Sequence, residues 1–505
     1  MRRLGIVACL VIPSRVSAQL APLGVPGGTF RVELDGSIET YDRHFRNGER
    51  ESYSSDLSSP ALGSDRIPML SDADGRIGRI IGNSAYRLNL GALTTDAMAD
   101  VGTGFLGLGL GLTNRITVFG RIPLVRTRVQ SKYDLSSTTA DGGLNPGGDT
   151  QLPFFQDFDV ALTTLASKIA AGDYDANPAT RALAEATLVD ATTLRADLFG
   201  LLADTATASP VIPTTTSGAG GAVLARVTAL QTTLASSLDV PDFTLAPTLP
   251  PAPLDENGLR QVLTGPLALR IDESKVTFRG DAEVGAAFTL IDSWDRGSRR
   301  GGFRTAISGL VRLPTGVRDQ SDRPLDIGTG DGQTDVQVDL VTDLGAGGLG
   351  ARVAGSYVRQ LPSNVQLRVA PPGVLVGPDR LAFVRRDPGD IVAFTVQPFF
   401  RLARTFALQA GIQHWSRKVD QVSYRSPADA LPGVDPSVLA QETAANATML
   451  SVGFTYANLG RLRPGGSGLP VDAGWTYERI LRSGNGRVPN AHRVRARLRM
   501  YFGLW

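Results

Sequence analysis

Few residue sets in this 505-residue chain have the type and spacing to do chemistry. Gly102-Thr103-Gly104-Phe105-Leu106-Gly107 fits GxGxxG. A dinucleotide site needs a helix after those glycines, so that its N-terminus meets the pyrophosphate. Here a Gly/Leu-alternating strand follows, and the glycines read as small residues on an inner wall. Asp326 to Asp335 and Asp72-Ala73-Asp74-Gly75 have the look of calcium loops. Both lack the ligand spacing and the closing Glu, and turn chemistry accounts for them. His44, His414 and His492 are isolated, and neither HExxH nor GxSxG occurs. His414 shares the phase of Ile412 near a loop and reads as an interfacial anchor. The expectation is no enzyme, no cofactor and no metal. What remains is regular charge: Arg493, Arg495, Arg497 and Arg499, and the pair Glu33 and Asp35, at every second position. That spacing puts each set on one face of a strand.

The elements that position these charges alternate down the whole chain. Phe30, Val32, Leu34 and Ile38 interleave with Arg31, Glu33, Asp35, Ser37 and Glu39. Val336, Val338, Leu340 and Leu344 interleave with Asp335, Gln337 and Asp339. Val494, Ala496, Leu498, Met500, Phe502 and Leu504 interleave with the four arginines. Weaker versions occur around Leu106–Leu112, Ile116–Leu124, Val276–Leu290, Phe303–Leu313, Leu349–Tyr357, Val392–Leu402, Phe406–Ile412, Leu450–Tyr456 and Val471–Tyr477. The pattern predicts twelve strands, each about the 9–11 residues that a tilted strand needs to cross a bilayer. The phase of the third is expected to slip near Pro123, as at a bulge. Residues 84–95 read as part of a long first loop.

Connections alternate short and long. Thr113-Asn114-Arg115, 345–348 and Ala403-Arg404-Thr405 are tight, whereas 42–100, 131–274, 315–332, 360–388 and 418–446 are long. Short turns on one rim and long loops on the other are the plan of an outer-membrane barrel. A soluble sandwich or propeller also alternates, but it would not combine charged faces with such loops, and no fixed-period repeat appears. No run of about 18 uncharged apolar residues exists beyond the N-terminus, which excludes a helical membrane bundle.

Within the longest loop the period becomes helical. Residues 154–171 and 177–203 and a third helix at about 220–237 carry apolar stripes. Asn177-Pro178 supplies a cap and a first-turn proline, and 239–254 is a Pro-rich strap. The three helices are expected to pack on one another as an extracellular insert, 150–265, between strands 4 and 5.

Arg2 and Arg3, the apolar Leu4–Ile12 and the small residues Val16-Ser17-Ala18 predict an export signal over 1–18. Ile6-Val7-Ala8-Cys9 also fits a lipoprotein pattern, but eight residues are too few to precede it. Removing Arg2, Arg3 and Arg15 leaves 48 Lys+Arg against 49 Asp+Glu, with no Cys. That balance gives no reason to expect nucleic acid as a partner, and the lack of Cys suits an oxidising compartment.

Gly109-Leu110-Gly111-Leu112-Thr113-Asn114-Arg115-Ile116-Thr117-Val118, continuing through Ile122-Pro123-Leu124-Val125, resembles the first hairpin of the phenol-degradation-type (MetA-like) outer-membrane transporters, in the style of FadL-like hydrophobic-compound channels. Gly280-Asp281-Ala282-Glu283-Val284-Gly285, Arg312-Leu313-Pro314-Thr315-Gly316 and Gly328-Thr329-Gly330 resemble its later landmarks. The resemblance implies an outer-membrane location and uptake of small, often hydrophobic molecules, and it supplies no ligand-binding residues. The helical insert departs from it. The C-terminus resembles an outer-membrane assembly signal through Trp505, whose phase carries Arg495, Arg497 and Arg499 instead of apolar residues.

The reading is an all-β, antiparallel transmembrane barrel of about twelve strands over 19–505, with outer-membrane lipid as its partner. Arg31, Glu33, Asp35, Arg304, Arg312, Asp335, Asp339, Arg352, Arg493, Arg495, Arg497 and Arg499 are expected to line the lumen. If the lumen is open, the protein is a passive channel or transporter for small molecules. If opposite charges pair across it, the lumen is a packed plug, and the protein is structural or binds a surface partner through the insert.

Overall fold

The computed structural model describes residues 24–293, 301–403, 405–458 and 470–504. The export segment, Cys9 and Trp505 lie outside the described residues. Twelve antiparallel strands close on themselves. They are β1 (Thr29–Tyr41), β2 (Ala92–Gly111), β3 (Ile116–Ser136), β4 (Glu283–Asp292), β5 (Gly301–Arg312), β6 (Asp335–Ala346), β7 (Leu349–Gln360), β8 (Ile391–Arg401), β9 (Phe406–Arg417), β10 (Ala445–Ala457), β11 (Val471–Ser483) and β12 (His492–Gly503). Each pairs with its neighbours in sequence, and β12 pairs with β1 from Thr29↔Gly503 to Thr40↔His492. Both ends of the barrel chain therefore lie on the rim of short turns.

The alternation has the expected sense. Val32, Leu34 and Ile38 turn outward along β1 while Arg31, Glu33 and Asp35 are buried inside. In β8, Val392, Phe394, Val396 and Phe400 are exposed, and Ala393, Thr395, Gln397 and Phe399 are buried. From Phe30 to Ile38 the outward apolar face runs about 27 Å along the strand at ~3.4 Å per residue, which a tilted strand fits to the apolar band of a bilayer. The chain is a transmembrane β-barrel. Among the described residues no helix is long and apolar enough to cross a membrane.

Strands β2 and β3 depart from expectation. They run for 20 and 21 residues in unbroken register, Phe105 opposite Pro123, so there is no slip there. Residues 92–95 belong to β2 and not to a loop. What changes near Pro123 is the side that is apolar. Below it Leu106, Leu108 and Ile122 face out, as does Leu124 one residue beyond; above it Ala97, Ala99, Val101, Val125 and Val129 face in and are buried. Lipid surrounds the lower half and water the upper half, so the side that must hide from water inverts. The pattern Val276–Leu290 likewise breaks into two strands, Ser274–Arg279 and β4. Val276 and Phe278 pair with Thr127 and Val125, on the phase opposite to that of Ala286 and Phe288, which pair with Val118 and Ile116. Gly280, whose missing Cβ would stand 2.8 Å from the Thr329 carbonyl oxygen, and the Asp281 carboxylate, which accepts from the Gly316 amide at 2.8 Å, dock the β5–β6 loop into this break.

The helical insert follows the third barrel strand and not the fourth. It contains α2 (Gly148–Ala171), α3 (Pro178–Leu202) and α4 (Gly218–Ser237), with Asn177 Oδ1 capping α3 through the Ala179 amide at 3.0 Å. Two helices were not predicted. One is α1 (Ser71–Ile81), in the first long loop, and the other is α5 (Glu256–Thr264). The Asp72–Gly75 segment is thus the first turn of α1, and not a free turn. Asp74 inside it accepts from the Leu88 amide at 2.8 Å, and Arg79 pairs with Asp197 of α3 at 2.6 Å. Ile67, Leu70, Ile77, Phe158, Leu165, Leu198, Val227 and Leu234 merge into one core. The first loop and the insert therefore fold together as a single cap over the long rim.

Candidate functional site

The barrel interior collects the regular charges. All twelve expected lumen residues lie on the inward phase of their strands, and most are buried, from Asp335 at 1% exposed to Arg495 at 9%. Arg312 and Arg493 are the more open members, half-buried near the long rim.

A chain of pairs follows the wall. Arg499 Nη2 donates to Glu33 at 3.0 Å, joining β12 to β1. Arg31 approaches the same carboxylate at 3.4 Å and Arg121 of β3 at 3.7 Å. Arg121 continues to Glu283 of β4 at 2.9 Å. Arg312 of β5 links Glu283 at 3.3 Å and Asp335 of β6 at 2.6 Å. Further round, Asp343 accepts from Arg352 Nη2 at 2.7 Å and from Arg304 Nε at 3.1 Å. Asp339 accepts from Gln337 at 2.6 Å and Ser308 at 3.2 Å. Asp35 takes Arg495 Nε at 2.8 Å, Asp472 takes Arg497 at 3.3 Å, and Arg493 donates to Glu39 at 2.8 Å. Most partners sit on adjacent strands, so the network is a collar along the wall. Its longest step, Glu33 to Arg121, passes over β2, and there the inward residues are glycines. A Cβ on Gly107 would stand 3.1 Å from Arg121 Cγ, and one on Gly109 3.4 Å from Arg31 Nε. Gly107 of the GxGxxG run therefore does lie on the inner wall. Gly102 and Gly104 share the outward phase of Leu106 and Leu108.

Charged pairs line the arc from β11 through β12 and β1 to β7, and beyond it charge returns at strand ends, with Arg401 closing β8 and Arg417 of β9 paired to Asp420 at 2.6 Å. Across from that arc β8, β9 and β10 present Thr395, Gln397, Gln409, Gln413 and Thr455, all buried and uncharged. Among the described residues, Gln337 Oε1, Gln397 Oε1, Asp472 Oδ2 and the Tyr501 hydroxyl have no hydrogen-bond partner in the chain. Glu33 and Asp35 each take an arginine partner from β12 on the wall.

Several site residues escaped the sequence reading: Arg121, Glu283, Asp343, Asp472 and Glu478, the last meeting Arg493 Nη1 at 3.4 Å. All lie on the polar phase of strands whose apolar phase was recognised, so alternation alone would have found them. Glu283 sat hidden in the pattern that breaks at Gly280. The histidines stay apart. His44 is buried in a small sheet above the rim, with Nε2 2.8 Å from Glu51. His414 is on the outer face with Nδ1 3.1 Å from the Thr448 hydroxyl, and His492 contacts the Tyr477 hydroxyl at 2.7 Å. No group of three or more His, Cys, Asp or Glu residues could hold a metal ion among the described residues.

No family model and no curated protein matches the chain. Among solved structures it is similar to an outer membrane channel from Pseudomonas putida, with 11% identity over 96% of this chain and all of that one and a TM-score of 0.43. It is also similar to the CymD monoaromatic hydrocarbon channel, with 11% identity over 95% of this chain and 89% of that one and a TM-score of 0.26. A Pseudomonas aeruginosa FadL homologue gives 7% identity over 94% and 90% of the two chains, with a TM-score of 0.29. Likeness at this level leaves the functional question to the chain's own residues.

Proposed function

We propose that this barrel resides in an outer membrane and conducts small molecules passively through a narrow, hydrated lumen. The observation that carries this reading is the set of inward polar atoms without a protein partner: Gln337 Oε1, Gln397 Oε1, Asp472 Oδ2 and the Tyr501 hydroxyl. An unsatisfied buried polar group costs about 1–3 kcal/mol, and water within the lumen supplies the missing bonds. The paired collar supports the same reading. Its salt bridges join neighbouring strands, so a file of water and solute passes beside them without separating charges. The twelve expected lumen residues then act as wall lining. With both signs present, selectivity among small ions is weak. The cap over the long rim sets which solutes reach the mouth.

Planar-bilayer recording on the purified chain tests this. Small, steady single-channel steps with little preference between cations and anions are expected. A bilayer that holds correctly folded barrels, shown by their protection from protease, yet stays silent would sink the channel and leave a structural barrel that works through its cap.

A further inference from the structure

The geometry points to a binding site for a phosphorylated lipid head group on the outer face of β3 and the adjoining Ser274–Arg279 strand. The inference rests on the outer-membrane placement proposed above.

Along the outward face of β3, Ile116, Val118, Ile122 and Leu124 are exposed, and the next outward residues are Arg126 and Arg128. The change from hydrocarbon-facing to cationic takes one outward step, about 7 Å along the strand. This level is the edge of the lipid band. The neighbouring strand adds cations at the same level. Thr277 lies opposite Arg126, Lys275 opposite Arg128, and Arg279 opposite Leu124. Arg126 is therefore the diagonal neighbour of both Lys275 and Arg279, at backbone separations of about 7–8 Å. All three are exposed, with exposed Thr277 between them offering a hydroxyl.

The surrounding acids engage other cations first, and Glu273 is the one that also attracts a member of the trio, Lys275. Glu273 pairs with Arg128, Asp100 lies opposite Arg128, and Asp96 lies opposite Lys132. Arg126 lies opposite Gly102, which brings no charge. Arg279 donates from Nε to the Thr315 carbonyl oxygen at 3.3 Å, which orients the guanidinium without neutralising it. Elsewhere on the long rim an outward arginine, Arg359, is matched by Asp390 at 2.9 Å and Asp387 at 3.5 Å. The Arg126–Lys275–Arg279 cluster thus carries surplus positive charge where acyl chains end and head groups begin. An anion held there while its tails lie on Ile122 and Leu124 is a lipid phosphate. Long basic side chains reach such groups from the edge of the apolar band.

The test uses the full chain in detergent micelles carrying diphosphorylated lipid A, with bound lipid counted by native mass spectrometry. The wild type is expected to retain lipid A and to lose it when the phosphates are removed from the lipid. The combined variant Arg126→Gln, Lys275→Gln, Arg279→Gln is expected to bind roughly 100-fold more weakly, about fivefold per cation. Lys418→Gln, on a different loop, is expected to bind as the wild type does. Equal retention by the triple variant overturns the site. Displacement of the lipid by inorganic phosphate at matching concentration also overturns it, because a soluble anion would then suffice. Exposed substitutions of this kind leave the barrel fold intact, which heat-modifiable gel mobility checks. A barrel that will not insert into bilayers defeats the placement, whereas one that inserts and ignores lipid A defeats only this site.

Discussion

Arg499 and Glu33 meet at 3.0 Å, 466 residues apart in sequence, where the last strand of the barrel closes on the first. The same carboxylate is approached by Arg31 and Arg121, so one buried acid ties three strands. Removing one partner of a buried pair leaves an uncompensated charge, at a cost of about 3–5 kcal/mol. Glu33→Gln is therefore expected to lower the thermal midpoint of the barrel in detergent by more than Glu39→Gln, whose partner Arg493 is half-buried at the rim. Equal midpoints for the two variants would remove the collar's structural role.

Glycines on the two faces of β2 make opposite predictions. Gly107 faces Arg121 and Glu33, and a Cβ there is already in tight contact at 3.1 and 3.3 Å. Gly107→Leu overfills the wall and is expected to destabilise the barrel by about 1–3 kcal/mol, displacing Arg121 and altering conductance. Nothing lies within 4 Å of a Cβ on Gly104. Gly104→Leu adds lipid-facing surface and is expected to leave both stability and conductance unchanged. Urea unfolding of lipid-reconstituted protein, with current recordings, separates the two.

The inversion of sidedness along β2 is open to a direct test. Leu108 and Met98 share the outward phase ten residues apart. Leu108→Arg places a charge within the lipid band and is expected to cost about 2–4 kcal/mol near the midplane. Met98→Arg lies above the band and is expected to cost little. The difference is read as the yield of folded barrel in bilayers. A comparable loss for both would place the lipid boundary well above Pro123.

Acid is expected to loosen the small sheet over the rim. His44 lies on a strand, Arg43–Arg46, between Glu49–Ser52 and Arg487–Pro489. Burial, with the nearby Arg487 guanidinium adding to it, pushes the His44 imidazole below its ordinary value. The folded sheet therefore prefers neutral His44, and the unfolded segment takes up the proton first. No penalty exists above the ordinary histidine range. Stability falls as pH drops through that range toward the lowered value, then levels off. Relative to the intrinsic chemical rate, which itself falls with pH, hydrogen exchange over residues 43–52 should quicken from pH 7.5 to about pH 5, and His44→Gln should flatten the response. A wild type whose exchange in this segment shows no acid-specific opening would assign the lowered titration no structural consequence.

The sequence by itself determined the barrel, because a strand shows its two faces at every second residue and a bilayer demands one continuous apolar face. Strand number, the inward phase of the arginines and the long-loop rim all follow from that local rule. Tertiary structure alone decided the rest. Pairing Arg499 with Glu33 needs the two ends of the chain to meet, so alternation could place both inside without saying that they neutralise each other. The reversal near Pro123 reads locally as a slip, since only the height of the membrane tells a bulge from a change of solvent. Helix α1 carries its own amphipathic pattern, yet it belongs to the cap because α3 and α4, more than a hundred residues later, cover its apolar side.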